Sequence, residues 1–144
     1  MSAQRAIVRA GAAAAGIVGA IVAAAALWIS PDAIPSARRD VTLLYVGADN
    51  CAPCRAWQRQ DGPTFRSSPE FARVAYREVK SPSVLDLLKD EYWPDDLRRY
   101  RERIGRGTGV PLWLVLADGE IVEQGFGASQ WRGTVLPRIR SLLR

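Results

Sequence analysis

Cys51 and Cys54, three residues apart, are the pair in this 144-residue chain best suited to covalent chemistry. A sulfur attacks as its thiolate, so a working cysteine needs a pKa below the free value of about 8.5. The flanking sequence supplies the means. Val41-Thr-Leu-Leu-Tyr-Val46 is a strand-forming run that stops at Gly47, and a helical stretch follows through Arg55-Ala-Trp-Gln-Arg-Gln60. Cys51 therefore falls at the expected helix N-cap, where unpaired N–H groups and the helix dipole stabilise a thiolate. Pro53, in the first turn, gives up an N–H that has no helical partner and holds φ near the helical value. Cys54 lies about one turn on, within reach of a mixed disulfide at Cys51. Cys51 is read as the exposed attacker and Cys54 as the resolving thiol.

Three blander readings stand beside redox work. The pair could be half of a zinc site completed by dimerisation, with no other Cys or His to help. It could be an inert structural disulfide, although closing so short a loop stabilises little. It could also be a chance CxxC. Its place where a strand hands over to a helix favours redox work.

The remaining elements must frame that junction. Gly62-Pro63 breaks or kinks the first helix, Pro69 to Ala72 reads as a short turn, and Val74 to Val79 as a second strand. A short helix begins near Ser83, and Trp93-Pro94-Asp95 marks a break and restart before a basic helix running to about Ile104. Gly105, Gly107 and Gly109 form a loop ending at Val110-Pro111. Two strands follow, Leu112 to Ala117 and Glu120 to Gln124, joined by Asp118-Gly119, a strong hairpin signal. Residues 129–143 read as a terminal helix that tolerates Gly133 and is kinked by Pro137. Trp57, Trp93, Trp113 and Trp131 are read as core or rim aromatics.

Composition narrows the function. With no histidine, a His-ligated haem and a Ser-His-Asp triad within this chain are excluded. Net charge is +5, and of 20 basic residues only Lys80 and Lys89 are lysine. Arg98, Arg99, Arg101, Arg103 and Arg106 form one dense stretch, read first as a solvated helix face and second as a contact for an acidic partner or anionic lipid. No basic motif with interleaved stacking aromatics accompanies it, so nucleic acid is not expected as a partner.

Residues 1–37 differ from the rest. Residues 10–29 carry no charge, follow Arg5 and Arg9, and would as a helix just cover a hydrocarbon core of about 30 Å. A cleaved signal peptide competes with an uncleaved anchor. The one good A-x-A site, Ala24 to Ala26, lies inside the apolar run, and Ile34 and Pro35 make the later site at Ala37 poor. The anchor is therefore favoured, with Pro31 and Pro35 in a stiff tether. Arg38 and Arg39 behind the span weaken the orientation signal, but the short basic N-terminal tail favours export of residues 38–144.

Residues 38–144 resemble the thioredoxin family. The resemblance rests on Leu43-Leu-Tyr-Val46 before Cys51-Ala52-Pro53-Cys54, on Gly109-Val110-Pro111 before a strand, and on Asp118-Gly119-Glu120 followed by Gly125 and a helix. It implies an α/β, thioredoxin-like three-layer sandwich with a central mixed sheet flanked by helices, preceded here by one N-terminal transmembrane helix. It further implies that Pro111 is cis and faces the CxxC, with Val110 offering backbone groups to a substrate chain. Cys51 to Phe71, with Phe65-Arg-Ser-Ser-Pro-Glu-Phe71, is similar more narrowly to exported domains of the DsbD C-terminal type, which relay electrons to oxidised partners. Two positions depart from the family pattern. Asn50 stands where many thioredoxins have Trp, and Tyr45 matches the position of a buried carboxylate. Glu78 is a candidate substitute acid, Asp49 reads as a turn residue, and Arg55 as a helix residue able to lower a thiol pKa. Residues 81–109 exceed what a minimal thioredoxin needs and read as an insertion suited to partner choice.

The expectation is a monomeric, exported thiol–disulfide oxidoreductase, anchored in the inner membrane with its domain in the periplasm, or secreted there if the segment is cut. It would reduce disulfide-containing protein substrates and be re-reduced by an upstream membrane electron donor, with no cofactor or metal. Pro53 next to the second cysteine resembles reductants of this fold. An oxidase or isomerase is the rival within the same chemistry. A tethered adaptor docking through the 98–106 arginines is the rival outside it.

Overall fold

Strand β1 (Val41–Ala48) sits inside the sheet, and all but Thr42 of its residues are buried. That is why its sequence reads as a continuous apolar run and not as an alternation. The computed structural model describes residues 40–104 and 108–144. The expected segment 10–29 and Arg106 lie outside them. Among the described residues, no helix is long and apolar enough to cross a membrane.

From β1 the chain enters α1 (Ala52–Arg59) and α2 (Asp61–Arg66), then returns in β2 (Ala75–Ser81), parallel to β1. β3 (Leu112–Ala117) runs antiparallel along the other side of β1, and β4 (Glu120–Phe126) runs antiparallel to β3. The sheet order is β2-β1-β3-β4. Asp118 and Gly119 have φ of 52° and 81°, the two positive values that a tight hairpin needs to match the strand twist.

Successive side chains of a strand face opposite ways, so β1 and β3 each feed two cores. Val41, Leu43, Tyr45, Trp113 and Val115 pack with Trp57, Phe65, Trp131, Val135 and Ile139 from the helices on one face. Here Trp131 lies 5.1–5.2 Å, ring to ring, from Trp57, Phe65 and Trp113. On the other face Leu44, Val46, Leu112, Leu114 and Leu116 pack with Leu87, Trp93, Leu97, Tyr100 and Ile104. Trp57, Trp93, Trp113 and Trp131 are therefore all core residues.

Within the stretch read as an insertion suited to partner choice, residues 87–104 carry this second cluster and cover that face of the sheet as a third layer. Their secondary structure is thinner than expected. Three 3-10 turns (Val84–Asp86, Asp90–Tyr92, Asp95–Leu97) lead into α3 (Arg98–Arg101), one turn of α-helix where the sequence suggested a helix to about 104. Five large buried side chains, Leu87, Trp93, Leu97, Tyr100 and Ile104, hold this layer where regular hydrogen bonding does not.

Other boundaries also differ. Gly62 and Pro63 lie in the first turn of α2, where Pro is tolerated, so the break falls at Gln60. The turn expected at 69–72 is a 3-10 turn at Phe71–Arg73. The terminal helix starts earlier than expected, as α4 (Gly127–Gln130), passes through a π turn (Trp131–Val135) and ends as α5 (Leu136–Leu142). The π turn lies directly before Pro137, whose ring would crowd the carbonyl of Gly133 in a regular α-helix. β4 continues through Gly125, where a Cβ would come within 2.6 Å of Val135 Cγ2. Only a residue without a side chain lets the helix lie so close.

Candidate functional site

At the end of β1 the chain turns through Asp49 and Asn50 into α1, and Cys51 is the N-cap residue with extended backbone (φ −88°, ψ 108°). Cys54 N–H points at Cys51 Sγ, 3.1 Å away, the bond a capping side chain accepts from N3. Arg55 N–H donates to the Cys51 carbonyl at 3.1 Å and starts the helical ladder. The two sulfurs are joined as a disulfide with Cα atoms 5.2 Å apart.

Cys51 was expected to be exposed, but both cysteines are buried, Cys54 wholly and Cys51 with 6% of its surface left to solvent. Ala52 and Pro53 are exposed beside it. The Val110–Pro111 peptide is cis, and the Val110 carbonyl oxygen lies 3.7 Å from Cys51 Sγ. Val110 also packs against the cluster of Ala48, Cys51 and Cys54. The fold thus brings together Cys51, Ala52, Pro53, Cys54, Val110 and Pro111, residues up to 60 positions apart in sequence. When the pair is reduced, the N–H of Cys54 and the dipole of α1 favour the thiolate on Cys51.

Tyr45 is wholly buried, stacked on Trp57 with ring centroids 5.0 Å apart, and its hydroxyl accepts from Gln58 Nε2 at 3.0 Å. Burial pushes its pKa up to about 12, so the hydroxyl stays neutral at physiological pH. It cannot serve as an ionised proton acceptor for Cys54. Glu78 is beside Tyr45 in register on β2, but it is exposed and its carboxylate accepts from the Tyr76 hydroxyl at 2.6 Å. Asp49 pairs with Lys80 at 3.1 Å, as suits a turn residue. Arg55 donates to the Asp49 carbonyl and so braces the loop.

The roles of two residues here escaped the sequence reading. Gln58 marks itself only as one turn beyond Cys54 on the same helix. Gly47 matters because the Tyr45 hydroxyl lies over it, where a Cβ would meet that oxygen at 2.4 Å.

The arginine stretch is largely engaged within the chain. Arg98 pairs with Asp95 at 3.0 Å, Arg103 with Glu120 at 3.2 Å, and Arg101 with Asp90. Arg99 lies over the Tyr100 ring, 4.7 Å from its centre, and donates to its hydroxyl. Hydrogen bonds from Arg101 and Arg77 hold the carboxyls of Asp90 and Asp96 below the usual range. These pairings draw on the charges that an adaptor would need for an acidic partner.

No protein-family model matches the chain, and no curated protein proved similar to it by sequence. Solved structures do. The thioredoxin Mala s 13 of Malassezia sympodialis superposes with a TM-score of 0.50 at 15% identity, over 73% of this chain and 79% of that one. The periplasmic thioredoxin SoxS of Paracoccus pantotrophus, in its reduced form, gives a TM-score of 0.50 at 14% identity, over 73% of this chain and all of that one. At this identity the similarity establishes the fold.

Proposed function

We propose that this thioredoxin-fold domain is an exported thiol–disulfide oxidoreductase that reduces disulfides in other proteins. The observation that carries the reading is the Cys51–Cys54 pair itself: its more accessible sulfur caps helix α1 and is met by an N–H, and its other sulfur is buried behind it. In the reduced protein, the Cys51 thiolate attacks one sulfur of a partner disulfide. A Cys51–partner bond forms and the partner's other sulfur leaves as a thiolate. Cys54 then attacks Cys51 Sγ, and its proton passes to the departing second sulfur of the partner. The partner leaves with both sulfurs reduced, and the Cys51–Cys54 disulfide remains with the two electrons transferred. A membrane donor returns the pair to its dithiol form.

Export is supported by residues 10–29 and the preceding Arg5 and Arg9, and by the fact that SoxS is described as periplasmic. The anchor would hold the domain on the periplasmic face of the inner membrane. The reducing direction is supported by Pro53 beside Cys54, in the manner of reductants of this fold. The test is the full chain carrying Cys54→Ser, expressed in cells and quenched with acid and alkylating agent. Covalent adducts are expected that disappear with reductant and in the Cys51→Ala, Cys54→Ser double variant. Recovery of none would contradict the mechanism. Adducts confined to cytoplasmic proteins would contradict export.

A further inference from the structure

The positive charge left over after pairing does not lie where the sequence concentrates arginine. Arg98, Arg101 and Arg103 are paired with carboxylates, whereas among the described residues Arg73 and Arg144 have no carboxylate partner. These two meet, with Arg140, around a groove of about 540 Å³ between the Phe71–Arg73 turn and the end of α5. Arg73 donates to the Leu143 carbonyl, which fixes its guanidinium there and covers one of the carbonyls that make a helix end negative. Glu70, the one acidic side chain in the groove, accepts from Arg140 Nε at 2.7 Å, and that bond holds its carboxyl below the usual range. Pro137 and Leu143 supply apolar surface beside the charges.

The groove sits at one particular end of the sheet. β1 and β2 run parallel with Thr42 beside Ala75, so the turn that precedes β2 lies at the end where β1 begins. Cys51 follows the other end of β1, about 25 Å away along an eight-residue strand. Residues 30–39 are all that separate the apolar run 10–29 from Asp40 and β1. Ten residues span at most about 35 Å. An anchor at 10–29 therefore keeps this end, with its arginines, within reach of the lipid headgroups. Guanidinium groups beside apolar surface suit a phosphate that carries acyl chains.

We propose that this groove binds the headgroup of an anionic phospholipid, its phosphate on Arg73 and Arg144 and its acyl chains beside Pro137 and Leu143. This rests on the anchored reading above and adds an orientation to it. The domain is seated on its membrane by the end opposite Cys51, so the redox pair faces away from the bilayer, toward partners in solution. Each arginine held near an anionic surface strengthens binding about fivefold, and salt screens the effect.

The test uses the full chain in nanodiscs of phosphatidylcholine, alone or with increasing phosphatidylglycerol, and reads amide hydrogen exchange at 69–73 and 136–144. Exchange there should slow as phosphatidylglycerol rises, and the protection should vanish in about 1 M salt. The phosphatidylglycerol fraction that gives half of the protection should rise about fivefold in Arg144→Gln, and equally in Arg73→Gln, which keeps a donor for the Leu143 carbonyl. Arg73→Lys, which keeps the charge, should restore most of the protection. All three variants should exchange with glutathione disulfide at the wild-type rate, since none touches the cysteines or the Glu70–Arg140 pair. Equal protection in the two lipids would overturn the headgroup site and leave the oxidoreductase reading intact. The same protection from inorganic phosphate in phosphatidylcholine discs would overturn it by assigning the groove to a free anion. A chain that enters neither disc would overturn the anchor and this seating together.

Discussion

Adding one methyl group at Gly47 tests how the interior beside the redox pair is built. A Cβ there would lie 2.4 Å from the Tyr45 hydroxyl oxygen, 2.7 Å from Cζ and 3.0 Å from Cε1. Ordinary contact needs about 3.4 Å or more, so the ring would have to move by roughly 1 Å. It has little room to do so. Trp57 is stacked against it at 5.0 Å, Trp113 stands 6.3 Å away, and Gln58 holds the hydroxyl. Overpacking of a rigid core costs about 1–3 kcal/mol, and Gly47→Ala should fall at the upper end, about 3 kcal/mol. With a urea slope of about 1.5 kcal/mol per molar, the unfolding midpoint should drop by about 2 M. Removing the hydroxyl as well, in Tyr45→Phe with Gly47→Ala, should recover only part of the loss, because Cζ remains too close. The measurement is urea unfolding of the two single variants and the double variant, followed by tryptophan fluorescence. A shift below about 0.5 kcal/mol in Gly47→Ala, within the range of ordinary surface substitutions, would refute the placement of Tyr45 over Gly47.

Alkaline titration should expose the same side chain. The folded-state pKa of Tyr45 is raised to about 12 by burial, against about 10 when unfolded, so its contribution is complete below pH 10 and is lost between pH 10 and 12. Over that window stability should fall by about 1.4 kcal/mol per pH unit from this group, and Tyr45→Phe should flatten the slope as measured by urea midpoints. Leu97→Ala should cost about 3 kcal/mol, because Leu97 is buried against the sheet through the 3-10 layer and a dispensable insertion would lose almost nothing. Thermal and urea unfolding decide between these outcomes.

The strand-to-helix junction was readable from an apolar run followed by a cysteine with proline in the next turn, whereas Gly47, read as the strand's stop, lies inside β1, which runs on to Ala48. The Asp118-Gly119 hairpin was readable for a similar reason, since a two-residue turn with both φ positive admits few residue pairs. Pro111 opposite the cysteines came only through family resemblance, as nothing local in Gly109-Val110-Pro111 sets the isomer or the neighbour. The 3-10 layer was obscure because Trp93, Leu97, Tyr100 and Ile104 keep the i, i+4, i+7, i+11 spacing of a helix face, while only Arg98–Arg101 of that stretch is α-helical. Asn50 could be seen as a departure from the family, but its partners Ser83 and Val84 lie more than 30 positions away.

The most direct test of the reducing role is the equilibrium reduction potential of Cys51–Cys54 in the full chain, titrated against glutathione couples and read by alkylation of free thiols. A capped thiolate in a reductant of this fold should give a value near about −270 mV, the potential of thioredoxin. A value near about −120 mV, that of a strong oxidant, would contradict the proposed direction of electron flow.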